Sequence, residues 1–183
     1  MAIVTQQDKV LFKLPLTPPE KINARTATGR EYDAERRDFA YLAGHCLLVQ
    51  RGTVPGELYY SVDQGEVYNV FTQKKTVYPG NDARYWGGHT ISTPSGKWAV
   101  MMREEEGMVY GYYVLGPDCS MASHKLEKTL FGVEPCGAGH GKPSSYGTEE
   151  SIIFSFREND GQRCYRAVVH PDGSNVMTEV GKE

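Results

Sequence analysis

Short apolar runs separated by Asp-Gly turns close this chain and hold it to antiparallel β structure. Ser151-Ile-Ile-Phe-Ser-Phe-Arg157 is followed by a Glu158-Asn-Asp-Gly161 turn, by Gln162 to His170, by a Pro171-Asp-Gly-Ser174 turn, and by Asn175 to Val180. Asp-Gly readily supplies the positive φ of a tight hairpin, so the segment predicts a three-stranded meander. The same pattern recurs from Glu57 to Thr72 around Asp63-Gln-Gly65, and from Lys97 to Leu115 around Glu105-Glu-Gly107.

Met108 to Leu115 constrains the architecture further. Met108, Tyr110, Tyr112 and Val114 alternate with Val109, Tyr113 and Leu115, so both faces of that strand are apolar. A second layer, or a partner, has to cover the face that a single sheet would leave in water. Cys46 to Val49 is continuously apolar for the same reason. Leu58, Tyr60 and Val62 are expected on one strand, Val67 and Phe71 on its hairpin partner, and Lys74 to Tyr78 on a further short strand closed by Pro79-Gly-Asn-Asp82. The expected fold is mainly β: an antiparallel sandwich or barrel built from hairpins, with two short flanking helices.

The first helix is predicted over residues 29–43, where Thr28-Gly-Arg-Glu31 has the form of a capping box and Tyr32, Arg36, Phe39 and Ala43 make one stripe ending at Gly44. The second runs from Asp118, as its cap, through Ala122, Leu126 and Leu130 to a stop at Gly132. Ahead of them, Val10, Phe12, Leu14 and Leu16 alternate, Pro15 excludes a central strand, and Thr17-Pro-Pro-Glu20 reads as a connector. Residues 1–28 are therefore expected as an N-terminal arm with an edge strand and linker, and 29–183 as one β-rich domain.

Charge and cysteine usage limit the function classes. Twenty basic and 23 acidic residues give a net charge of −3, so no excess positive field is available to grip nucleic-acid phosphates. Lys21, Arg25, Arg30, Arg36 and Arg37 are interleaved with Glu20, Glu31, Asp33, Glu35 and Asp38, the pattern of a solvated surface. No apolar run has membrane-spanning length, and the first residues lack a basic then apolar leader, so a cytoplasmic protein or part of a soluble assembly is expected. Four cysteines without a CxxC pair predict free thiols.

Three constellations could carry chemistry. Cys119, His124, Cys136 and His140 have the ligand types of a structural zinc, although five positions on a helix would turn Cys119 and His124 about 140° apart. Cys136, set among glycines, could serve as a nucleophile with His140, His124 or His89 as base and Glu149 or Glu150 as orienter, giving a Cys-His hydrolase or transferase. Tyr85, Trp86 and His89, with Tyr110 and Tyr112, offer aromatic surface for a protein, a carbohydrate or a small ligand at a barrel mouth. Gly87-Gly88 is too short for a phosphate loop.

Twelve tyrosines favour recognition over catalysis. The expected function is a non-catalytic interaction or assembly protein, a subunit of a homo-oligomer or of a larger assembly such as a virion. It would need no cofactor and would take protein partners, not nucleic acid or membrane. The arm and the Gly- and Pro-rich stretch from Val133 to Glu149 are its expected docking elements.

Overall fold

The computed structural model describes residues 1–56, 60–105, 108–131, 145–157 and 163–180, with the side chains of 128–131 left aside. The chain divides into two compact units, Met1–Leu42 with Cys46–Trp86, and Ala43–His45 with Gly87–Glu183. Both are built from antiparallel strands. The sheets are open paths, and none closes into a barrel among the described residues.

The first unit begins with a hairpin, β1 (Ala2–Gln6) and β2 (Lys9–Leu14). Its two-residue turn places Gln7 and Asp8 at φ of 47° and 61°, the both-positive geometry that matches strand twist. A bulge beside Val4 breaks the expected alternation of β2. Phe12 and Leu14 are buried, while Val10, beyond the bulge, is exposed. The buried face packs with Leu47, Val49, Tyr68 and Val70. Residues 1–28 thus contain this hairpin and β3 (Glu20–Arg25), and the hairpin shares the unit's core instead of leaving it as an arm.

A five-stranded sheet follows in the order β3, β4 (Glu31–Ala43), β5 (Cys46–Thr53), β6 (Gln64–Asn69), β7 (Lys75–Pro79). The helix expected over 29–43 is the long strand β4. In place of the expected capping box, Thr26 to Arg30 forms a hairpin turn, with the Thr26 hydroxyl accepting from the Arg30 amide. Register with β3 then runs from Glu20 opposite Arg36 to Arg25 opposite Glu31, with that last pair salt-bridged at 2.6 Å. Cys46 to Val49 are all buried, as the continuous apolar run predicts.

Asp63-Gln-Gly65 is not a hairpin tip. Gln64 and Gly65 begin β6, which pairs with β5 on one side and β7 on the other. Leu58 lies outside the described residues. Gly65 is required by packing: a Cβ there would lie 2.4 Å from the Trp86 ring. The Pro79 turn opens α1 (Gly80–Ala83), the one helix among the described residues. No described helix is long and apolar enough to cross a membrane.

In the second unit the sheet order is β15 (Asn175–Val180), β14 (Cys164–Val169), β13 (Ile152–Arg157), β11 (Met121–Phe131), β10 (Met108–Leu115), β9 (Ala99–Glu105), β8 (Thr90–Ser92), with β12 (Ser145–Gly147) also paired to β13. The C-terminal meander and the β9–β10 hairpin form as expected. Gly173 takes φ of 88° in the final turn, and Asp172 accepts from the Ser174 amide and hydroxyl. The second expected helix is β11, antiparallel to β10. Asp118 does cap, but it caps the Ser120 amide within the turn before β11, with Cys119 at φ of 62°.

The core of this unit gathers Trp98, just before β9, and Val100 and Met102 from β9 with Val109, Tyr112 and Val114 from β10, Leu126 from β11, and Ile152, Phe154, Phe156, Tyr165, Ala167 and Val169 from β13 and β14. A bulge at Tyr110 turns Val109 to the Tyr112 face and leaves Tyr110 exposed, which corrects the expected alternation. Tyr113, Leu115, Ala99 and Met101 are buried as well, so both faces of β10 are covered.

Cys46, Cys119 and Cys164 are disulfide-bonded, and no described cysteine is free. This overturns the expectation of free thiols. Linear spacing carries no signal for cysteines that only the folded chain brings within bonding distance.

Candidate functional site

The expected site residues fall into separate places. Tyr85 stacks beneath the Arg84 guanidinium at 4.6 Å, just after α1. Trp86 is buried edge-on to Tyr78 at 5.6 Å, and its indole N–H has no acceptor among the described residues. Trp98 is buried too, with its N–H donating to the Glu149 carbonyl. Neither tryptophan offers a face to a sugar.

His89 belongs to the second unit, where its Nδ1 lies 2.5 Å from Glu104 Oε1. Tyr112 is in the core, donating to the Gly173 carbonyl at 2.7 Å and accepting from Asn175 Nδ2 at 2.8 Å. Burial pushes its phenol up from the ordinary value, partly offset by the Asn175 hydrogen bond. His124 stacks on the Tyr112 ring at 5.3 Å and fills the space against Gly173.

Cys136 and His140 lie outside the described residues. Glu149 accepts from Ser95 Oγ at 2.7 Å and from the Ser95 amide at 2.6 Å, and these bonds hold its carboxyl below the ordinary range. It fastens the segment before β13 to the turn before β9. Cys119 offers no thiolate to a metal because its sulfur is in a disulfide. No group of three or more metal-binding side chains occurs among the described residues.

A polar cavity of about 260 Å³ in the first unit was not visible in the sequence. Asp38 and Glu66 have side chains 3% and 7% exposed and flank Arg51. Arg51 donates to Asp38 at 2.8 Å and to Glu66 at 2.6 Å. Asp38 also accepts from the Gly52 and Thr17 amides, which fixes the Pro15 to Thr17 segment to β4 and β5. Burial alone would raise Asp38, but those amides and Arg51 draw it below the ordinary range. At the rim Arg36 pairs with Asp63 and Arg37 with Glu35. Every arginine lining this cavity faces a carboxylate, so it presents no net positive charge to an anion.

The outer face of the second unit's meander is different. Tyr146 on β12 stands opposite Ile153 on β13, Ile153 opposite Val168 on β14, and Val168 opposite Val176 on β15. These four side chains form one cross-strand apolar row on the face away from the core. Its ends are the most open: Tyr146 is 39% exposed and Val176 59%. The adjoining row, Ser155, Arg166 and Thr178, is polar.

A signal for this row was present in the sequence. Ile152-Ile153, Val168-Val169 and Val176-Met177 are adjacent apolar pairs, and adjacent strand residues point to opposite faces. Ile152, Val169 and Met177 turn to the core, which sends Ile153, Val168 and Val176 outward. Comparison of the chain with protein-family models, with curated proteins and with solved structures finds no match.

Proposed function

We propose that this chain is a non-catalytic assembly protein that associates with protein partners through the outer face of β12 to β15. The observation that carries this reading is the unbroken row Tyr146, Ile153, Val168, Val176. Single exposed apolar residues are ordinary, whereas a row continuous across four strands favours an interface. Its aromatic end and polar border match the composition of protein contacts. The net charge of −3 supports a protein partner over nucleic acid.

The core drawn from β9 to β11 and from β13 and β14 supports a sandwich-like packing for the second unit. The disulfides favour an oxidising compartment over the reducing cytosol, so we infer a site of action outside it, in place of the expected cytoplasmic one. The docking role expected for residues 1–28 moves to the outer side of the first hairpin, where Ile3 and Val10 are exposed, because Val4, Phe12 and Leu14 are core.

The test is mass in solution over a range of concentrations, with cross-linking to protein partners, for the parent chain and for Tyr146→Lys with Ile153→Lys. Loss of association in the double variant, with its thermal transition retained, is the expected result. Association undiminished by the two lysines would remove the reading.

A further inference from the structure

The row stops at a strand whose outer edge pairs with nothing among the described residues: β15 is terminal in its sheet. An open edge presents unpaired amides and carbonyls and is normally blunted by charge, proline or cover. The other ends of the five- and eight-stranded sheets follow that rule. β3 carries Glu20, Lys21 and Arg25 within six residues, and β7 runs from Lys75 to Pro79. β8 has only three residues, and β12 lies close against it, since a Cβ on Gly147 would sit 2.5 Å from the Ser92 carbonyl. Asn175 to Val180 has one charge, Glu179, no proline, and an exposed valine on the outer face.

We propose that β15 pairs antiparallel with β15 of a second copy of this chain, about a two-fold axis through Val176. This rests on the preceding reading of the β12 to β15 face and names its partner. Two-fold pairing about an axis perpendicular to the sheet keeps each side chain on its own face, so directly opposed residues must have the same parity. Centring on Val176 meets that condition. Asn175 then faces Met177 of the second copy, Ser174 faces Thr178, and Val176 faces Val176.

The four-residue apolar row becomes a continuous row of eight running through both copies. Glu179 falls opposite Gly173 of the second copy, so no like charges are opposed, a condition that a self-pairing edge has to meet. The axis position follows from the row itself. Centring on Thr178 would set Val176 against Val180 and offset the two rows from each other, while centring on Met177 would set Val176 against Thr178.

The experiment uses the full chain with Val176→Cys, Thr178→Cys and Val176→Lys. Residues opposed across the axis have Cβ atoms about 4.5–5.5 Å apart, close to disulfide reach. Val176→Cys is therefore expected to give a covalent dimer on a non-reducing gel about tenfold faster than Thr178→Cys, which faces Ser174. Val176→Lys opposes two ammonium groups and is expected to weaken the dimer about tenfold, read by sedimentation.

Equal cross-linking from both positions, or a dimer unaffected by Val176→Lys, would overturn the pairing. A chain that associates through Tyr146 and Ile153 yet passes neither Val176 test keeps the face as an interface and loses this partner. A parent chain that associates with nothing loses both.

Discussion

The two units use one antiparallel pattern and stabilise it with different interiors. In the first, the layer between the N-terminal hairpin and β5 to β6 is aliphatic and aromatic, but the other end of β5 is held by Arg51 between two buried carboxylates. In the second, the core is largely apolar, with Tyr112, Phe154, Phe156, Met102 and Ile152 almost wholly buried. The contrast teaches that backbone pairing does not decide what fills the interior. The first unit buries an ion-pair network beside its apolar layer, whereas the second is filled by apolar volume. Each unit also contains one of the chain's two tryptophans, Trp86 and Trp98, so the two can be followed separately.

The largest expected effect is on the second unit's core. Phe154→Ala removes a ring in contact with Phe156 and should cost the second unit about 3–5 kcal/mol, read as a shift of the Trp98 denaturant transition in a Trp86→Phe background. An equal shift of the Trp86 transition, read in a Trp98→Phe background, would break the comparison.

Next comes Arg51→Met, which keeps the stem and strands Asp38 and Glu66 as buried charges. It should destabilise the first unit by about 3 kcal/mol, less if Lys75, 3.8 Å from Glu66, moves in. Replacing Arg51, Asp38 and Glu66 together by Met, Leu and Leu should recover most of that loss. Failure to recover would mean that the network specifies the fold of Pro15 to Thr17, beyond balancing its own charges.

The smallest effect is the response to acid. The folded Asp38 carboxyl titrates below its unfolded value, so its contribution is present above the ordinary aspartate range, near pH 4, and is lost as pH falls through the lowered folded value. As pH falls below about 4 the Trp86 transition should therefore weaken more than the Trp98 transition. Asp172 and Glu149 in the second unit are also held low, but both are exposed and screened, so their share is slight. Parallel loss in the two probes would show that ionisation does not distinguish the units.

What could be read beforehand differs between elements for identifiable reasons. The meander was legible because Gly173 and Asp172 mark its last turn and strand-length apolar runs flank it. β4 forms where a helix is expected because Glu31 to Ala43 satisfies two periods at once: Tyr32, Arg36, Phe39 and Ala43 fit a helix, and Tyr32, Ala34, Ala40 and Leu42 fit a strand. Pairing with β3 settles the choice, and that is a non-local event. β11 departs from expectation in the same way, since Ala122, Leu126 and Leu130 have helical spacing but β10 recruits the segment.

The Gln7-Asp8 turn was missed because it lacks glycine. The apolar row is legible in the adjacent apolar pairs of the meander, which mark two-sided strands as they do in Met108 to Leu115.

By itself the sequence determined the antiparallel class, the C-terminal strands and the need to cover both sides of β10, because alternation and turn chemistry are local properties of the chain. The tertiary structure alone decided the division near residue 86, the bulges that reassign Val10 and Val109, the disulfides and the Arg51 network. Each of these depends on residues distant in sequence meeting at hydrogen-bond or bonding distance. Loop closure and cross-strand register set that distance, and neither is written in any single stretch of the chain.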